Sequence, residues 1–283
     1  MIAISIDGNL VPAAQAAVSV LDRGFLYGDG LFEVLRTWGG IAVDLDAHLD
    51  RLFASASALQ LQVMERVALA DSVDRTLAAA QPVASTNEHR VRIVVTRGPG
   101  PAGGRFADLP QGHSIVIVEP LLPQPTELTA AVVDWPLPHR RAAGHKTLAY
   151  LDHLVARELA AVAGADEALR LDDAGFVVEG ATSNVFVVDS GRVITPSADT
   201  GILPGITRHR VLQCCARLGI PAVAEPLRLD QLRNADEIFI TSALRGIVAI
   251  TRLDGQARPP GPVTAQLADA YLNMMRRQPP SDP

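Results

Sequence analysis

Along the first 120 positions apolar residues alternate more often than they form helical stripes. That pattern predicts strands at 2–6 and 16–21 and a hairpin in LFEVLRTWGGIAVDL (31–45), turning at Gly39 and Gly40. Asp46 stands where it can cap a helix over about 47–60, with Leu49, Leu52, Phe53, Ala56 and Leu59 on its apolar face and His48, Arg51 and Ser55 on an adjacent stripe. A second helix is predicted near 67–80, and strands at 90–96 and 114–120 flank a Gly/Pro-rich loop. The proline-punctuated LLPQPTEL (121–128) reads as a linker between domains at 1–120 and 129–283.

Beyond the linker, TAAVVDW reads as a strand and 147–162 as a helix ending near Gly164. Strands follow in DEALRLD, FVVEG, SNVFVVD and RVITP. LPGITRHRVLQCCARLG begins with Pro204 and Gly205 and runs as a helix to Gly219, and EIFITSA (237–243) is a further strand. Helices and strands thus mix in both parts of the chain. No repeat of 20 to 50 residues is visible, which excludes a solenoid.

Composition narrows the function. A net charge of −6 offers no general attraction for nucleic acid or anionic membranes, and 4% aromatic residues leave little surface for stacking bases. Cys214 and Cys215 are the only cysteines and are adjacent, so neither a disulfide framework nor a zinc spacing is present and a reducing cytoplasm fits. No run of eighteen uncharged apolar residues and no leader pattern point to a membrane or to export.

The histidines form no HExxH, and His139, His145 and His153 lack companions at ligand spacing, so no metal is expected. No GxSxG elbow is present. GPGPAG (98–103) matches GxGxxG, but Pro99 and Pro101 interrupt it and no phosphate-facing helix has room to follow, so an active-site loop is the better reading.

Against 24 arginines the chain has a single lysine, Lys146. A lysine amine can lose its proton and attack a carbonyl, whereas a guanidinium stays protonated, so a lysine surviving such a bias is a candidate Schiff-base residue. The other strong signal is one continuous run, EGATSNVFVVDSGRVITPSADTGILPGITR (179–208). It joins a strand carboxylate, an asparagine five residues on, and a helix start whose free N–H groups suit a phosphate.

In these residues the chain resembles the class IV aminotransferases, the fold-type IV pyridoxal phosphate enzymes. The resemblance extends to DRGFLYGDGLFEVLRTWGG (22–40), AHLDRLFASA (47–56), GHKTLAYL (144–151) and EIFITSALRGI (237–247). It implies Lys146 as the Schiff-base lysine and proton shuttle, Glu179 on the pyridine nitrogen, and Arg51, Ile206, Thr207, Ser242 and Ala243 around the phosphate of pyridoxal 5'-phosphate. Tyr150 falls where some members hydrogen-bond the cofactor's phenolic oxygen.

The resemblance also implies an α/β (α+β) architecture of a small first α/β domain and a larger, β-rich pseudo-barrel domain with helices, in a homodimer acting on an amino acid and a 2-oxo acid. Phe32, Val34 and Arg36 resemble branched-chain enzymes, while the loop RGPGPAGGRFADLP resembles aminodeoxychorismate lyase; its Arg97 or Arg105 is the candidate for a substrate carboxylate. Ala149 replaces an asparagine common in the family, and Ala243 stands where many transaminases have threonine. The two alanines weaken the resemblance to a standard branched-chain enzyme, and the arginine-bearing loop with the EVLR strand favours D-amino acid transamination, although the RxH motif of those enzymes is not seen. The lyase, and then branched-chain L-amino acid or (R)-amine transamination, are the alternatives.

Overall fold

The computed structural model describes residues 2–80, 88–101, 103–106, 109, 111–137 and 144–276. His139 and Ala102 therefore lie outside the described residues. The chain forms two compact units, one built from Met1–Pro123 with His145–Tyr150, the other from Gln124–Gly144 with Leu151–Arg277.

In the first unit, β1 (Ala3–Ile6), β2 (Asn9–Val11), α1 (Arg23–Tyr27), β3 (Gly30–Trp38) and β4 (Ile41–Ala42) lead into α2 (Leu45–Ala58) and α3 (Arg66–Ala79), followed by β5 (His89–Thr96) and β6 (Ser114–Pro120). The sheet order is β2-β1-β6-β5-β3-β4. Period-two alternation gives this sheet one apolar face, where Leu31, Leu35, Val91, Ile93, Val95, Val116 and Val118 pack on Leu49, Leu52, Leu69 and Val73 of α2 and α3. The hairpin turns as its glycines predict, with φ of 59° and 81° at Gly39 and Gly40.

Two local expectations are corrected. Residues 16–21 form no strand; Val20 and Leu21 are 69% and 64% exposed, and with no partner edge beside them alternation alone cannot make a strand. The helix-entry residue of α2 is Asp44, in a left-handed conformation and without a side-chain cap, not Asp46, which lies inside the first turn.

The second unit contains β7 (Glu127–Val132), α4 (Leu151–Val162), β8 (Glu167–Leu171), β9 (Phe176–Gly180), β10 (Asn184–Asp189), β11 (Arg192–Thr195) and α5 (Ile206–Leu218). It continues with β12 (Ala222–Ala224), β13 (Leu227–Arg228), α6 (Leu229–Asn234), β14 (Glu237–Ser242), β15 (Gly246–Leu253), β16 (Gln256–Ala257) and α7 (Pro262–Met275). Its strand order is β12-β11-β10-β14-β15-β7-β8-β9-β13, with β16 on β15. Near-continuous apolar runs such as Val185–Val188 are buried on both faces, by the aliphatic core on one side and by helices on the other. Glu237 holds the start of α7, accepting from Val263 N at 3.0 Å and Thr264 N at 2.7 Å.

Candidate active site

In the first unit the chain around Lys146 is laid along the edge of β3. Phe32 N donates to Lys146 O at 2.9 Å, Leu148 N donates to Gly30 O at 3.0 Å, and Leu31 bridges Thr147. The approach is close: a Cβ on Gly30 would lie 2.6 Å from Leu148 Cδ1, and one on Gly28, whose φ is 66°, would lie 2.9 Å from the Ala149 backbone. The expected helix at 147–162 therefore begins only at Leu151, because backbone groups at 146 and 148 are committed to β3 rather than to helical i−4 partners.

This pairing sets the lysine amine over aromatic rings. Lys146 Nζ is 4.4 Å from the Phe32 centroid and 5.9 Å from that of Tyr150, and the two rings meet edge to face at 5.3 Å. Arg92 Cζ lies 4.5 Å from the same Phe32 centroid. Half-buried Arg92 makes no ion pair among the described residues. Burial pulls its pKa down, with repulsion from Arg90 adding to the effect and Tyr150 and Glu119 opposing it.

Arg92 was not among the residues singled out from the sequence. The available signal was RVRIVV itself: Val91 and Ile93 face the core, so the alternate positions place Arg90 and Arg92 on the face shared with Val34 and Arg36. Arg90 is paired with Glu119 at 2.7 Å, and Arg36 donates to Thr37 O and lies over Trp38. Arg92 differs from Arg90 in forming no ion pair among the described residues, and from Arg36 in sharing its aromatic ring with Lys146.

On the opposite face Glu33 reaches α2. Arg51 donates to it through Nε at 2.8 Å and Nη2 at 2.6 Å, and His48 Nδ1 lies 2.8 Å from it. Burial pushes the Glu33 carboxyl up, but Arg51 and His48 outweigh it and bring the pKa down to about 2. Arg51 is thus held in a bidentate, charge-assisted pair.

The two loop arginines differ. Arg97 donates to Asp29 at 2.8 Å, to Gln60 O at 2.6 Å and to Leu59 O at 3.0 Å, and Phe106 covers it at 3.7 Å. Arg105 is exposed.

In the second unit Glu179 is 6% exposed at the end of β9, and its Oε2 accepts from Leu203 N at 3.0 Å. Asn184 Nδ2 donates to Leu203 O at 3.0 Å. The carboxylate and the asparagine thus hold both backbone groups of one residue just before α5. Gly205 is the N-cap, no side chain caps the helix, and a Cβ there would fall 1.9 Å from Asn184 Oδ1.

Half-buried Ile206 and buried Thr207 open the helix. Asn184 pairs with Thr241 across β10 and β14, which brings the Ser242–Ala243 turn to the same end of the sheet. Ser183 Oγ and Thr241 Oγ1 are buried without a hydrogen-bond partner.

Uncapped helix amides beside unpartnered hydroxyls form a donor set suited to a phosphate, and Glu179 suits a protonated ring nitrogen. By this test the residues fit pyridoxal phosphate. No cluster that would hold a metal ion, and no helix long and apolar enough to cross a membrane, occurs among the described residues.

The comparisons with known proteins agree with this chemistry. The family model described as Amino-transferase class IV matches residues 30–253. The chain is 38% identical over 280 residues, 96% of each protein, to a putative branched-chain-amino-acid aminotransferase of Methanocaldococcus jannaschii. It is 32% identical to a D-alanine aminotransferase of Bacillus licheniformis, covering 94% of this chain and 95% of that protein. Among solved structures, the branched-chain aminotransferase of Thermoproteus uzoniensis with norvaline superposes with a TM-score of 0.90 at 30% identity, covering 96% of this chain and 94% of the other. The protein belongs to the class IV aminotransferases and is a pyridoxal phosphate-dependent transaminase of fold type IV.

Proposed function

We propose that the enzyme moves an amino group from a D-amino acid to a 2-oxo acid, with Arg92 receiving the substrate α-carboxylate. The observation that carries this reading is the half-buried Arg92, which forms no ion pair among the described residues and lies over the same Phe32 ring as Lys146. A guanidinium removed from water without a counter-ion is stabilised by an incoming carboxylate, and bidentate geometry orients that carboxylate. Arg105 is the second carboxylate candidate, Phe32, Val34 and Arg36 line the substrate side, and the contacts of Arg97 assign it to holding its loop.

Pyridoxal phosphate, when bound, supplies an electron sink for the pair left behind when Cα loses its proton. Lys146 would be the amine for its carbonyl and, as a free amine, would take the Cα proton as base and return it as acid. Glu179 would keep the ring nitrogen protonated, and Tyr150 would donate to the phenolic oxygen. Arg51, the amides of Ile206, Thr207 and Ala243, and the Ser242 hydroxyl would hold the phosphate. Glu33 contributes by fixing the Arg51 fork.

The D preference is supported by the D-alanine relative and by the arginine-bearing loop. A specific observation favours a second reading, branched-chain L-amino acid transamination: the 38%-identical relative carries that description. Visible spectra of the holoenzyme recorded after separate additions of D-alanine, D-glutamate, L-leucine and (R)-phenylethylamine decide between them. Bleaching by the D-amino acids supports the proposal and bleaching by L-leucine alone supports the second reading. Retention of the band with all four donors leaves the lyase.

A homodimer is part of the proposal. Val18, Val20, Leu21, Phe25, Leu26 and Tyr27 are 40% to 70% exposed within ten residues. A contiguous apolar run of this kind calls for a partner surface, here a second copy. Amino acids and 2-oxo acids are the small-molecule partners, and a cytoplasmic location fits the two free cysteines, both buried.

A further inference from the structure

The polar stripe of α2, His48, Arg51 and Ser55, is used along its whole length, and its last member leads to a residue the mechanism leaves unused. Ser55 is 5% exposed, and its Oγ lies 2.9 Å from Nδ1 of His145, the residue immediately before Lys146. One turn earlier on the same stripe, Arg51 and His48 grip Glu33 of β3. The backbone of Lys146 is itself paired with β3 through Phe32, and Thr147 N donates back to His145 O at 3.1 Å.

We infer that His145, held by Ser55, is a positioning residue for Lys146: it ties the lysine segment to α2 while the Phe32 and Leu148 hydrogen bonds tie it to β3. With pairing to β3 alone, the segment keeps one hinge, rotation about that edge, and this rotation swings Nζ across the Phe32 ring. A second anchor on a different element removes it. The anchor reaches Lys146 through the backbone and touches no reacting atom, which separates it from Phe32 and Tyr150, whose rings contact the amine. The inference rests on the proposed role of Lys146 as the cofactor's lysine.

The single lysine makes the test direct, because full-length protein labelled with 15N-lysine gives one ε-amine resonance. Its titration midpoint is measured in wild type, Ser55→Ala, His145→Ala and His145→Asn, without cofactor. The capture rate of added pyridoxal phosphate is measured on the same samples. Arg92 of β5, which lies over the same Phe32 ring as this amine, is unaltered in these variants.

Ser55→Ala and His145→Ala are expected to move the midpoint measurably from its wild-type position, because Nζ no longer holds its place over the Phe32 ring, and to slow capture about tenfold. His145→Asn, which can still bond the Ser55 hydroxyl, is expected to restore both. Wild-type midpoints and capture rates in both alanine variants would overturn the inference, as would failure of His145→Asn to differ from His145→Ala. If His145→Ala does not fold, Ser55→Ala decides the matter. If wild type takes up no pyridoxal phosphate, the proposed function fails, while the midpoints still judge the anchor.

Discussion

Arg92 shows how a single side chain acquires meaning from what is missing around it. Arg90, two residues away on the same face, is ion-paired with Glu119, whereas Arg92 forms no ion pair among the described residues and lies against the Phe32 ring. Replacing Arg92 with glutamine is expected to lower kcat/KM for amino acid donors about 10- to 100-fold, the worth of a charge-assisted hydrogen-bond pair. Amine donors without a carboxylate are expected to be unaffected, so steady-state kinetics with D-alanine and with (R)-phenylethylamine separate a carboxylate receptor from a structural arginine. Lys146→Ala should abolish both the visible band and turnover.

At the same scale, Cys214 and Cys215 are fully buried, and burial, with Cys214 beside it, pushes the Cys215 thiol up to about 11. Neither thiol is expected to react rapidly with a chromogenic disulfide at pH 8 in the native protein. Both are expected to react after denaturation, and a fast native phase would refute this.

Among the elements, the start of α5 has the least tolerance. Leu203 is held through its N–H by Glu179 and through its carbonyl by Asn184, and the absence of a side chain on Gly205 leaves room for Asn184 Oδ1. Gly205→Ala puts a methyl group into that oxygen although the φ of −66° suits alanine, so its effect is steric rather than conformational. It is expected to weaken pyridoxal phosphate binding about tenfold in an absorbance titration. Asn184→Ala should weaken it similarly, and the double variant should be no worse than Asn184→Ala alone, since both lose the same anchor. Full additivity would contradict this account.

The elements also show which signals in the sequence were local. The Gly39–Gly40 hairpin, α2, α3 and α5 were all readable, because periodicity and turn residues act within a few positions. The strand expected at 16–21 is absent and α4 starts four residues late, because a strand needs an edge and a helix competes with any strand that offers one.

For the molecule as a whole, acid stability rests in part on Glu33. Its folded value of about 2 lies below the ordinary 4.5, so the unfolded chain binds the proton more readily. The stabilisation is complete above about pH 4.5 and is lost as pH falls toward 2; a gap of this size corresponds to about 3 kcal/mol. Denaturant unfolding at pH 7 and pH 3 should show about 2 kcal/mol of that loss, and Glu33→Gln, destabilised at pH 7, should show a smaller one. Sedimentation should give a dimer at micromolar concentration, and Leu21→Asp with Phe25→Asp should shift it toward monomer.

The family could be read along the chain, and Lys146, Glu179 and the start of α5 stood out there as candidates, because each is a residue type at a fixed spacing within one short run. The Arg92 that forms no ion pair, the Glu33 grip on Arg51 and the His145–Ser55 contact could not. Each joins residues 15 to 90 positions apart or depends on which acids fail to reach a side chain. Strand register, helix docking and the competition among charges for partners settle those questions, and these are properties of the folded chain rather than of any stretch of it.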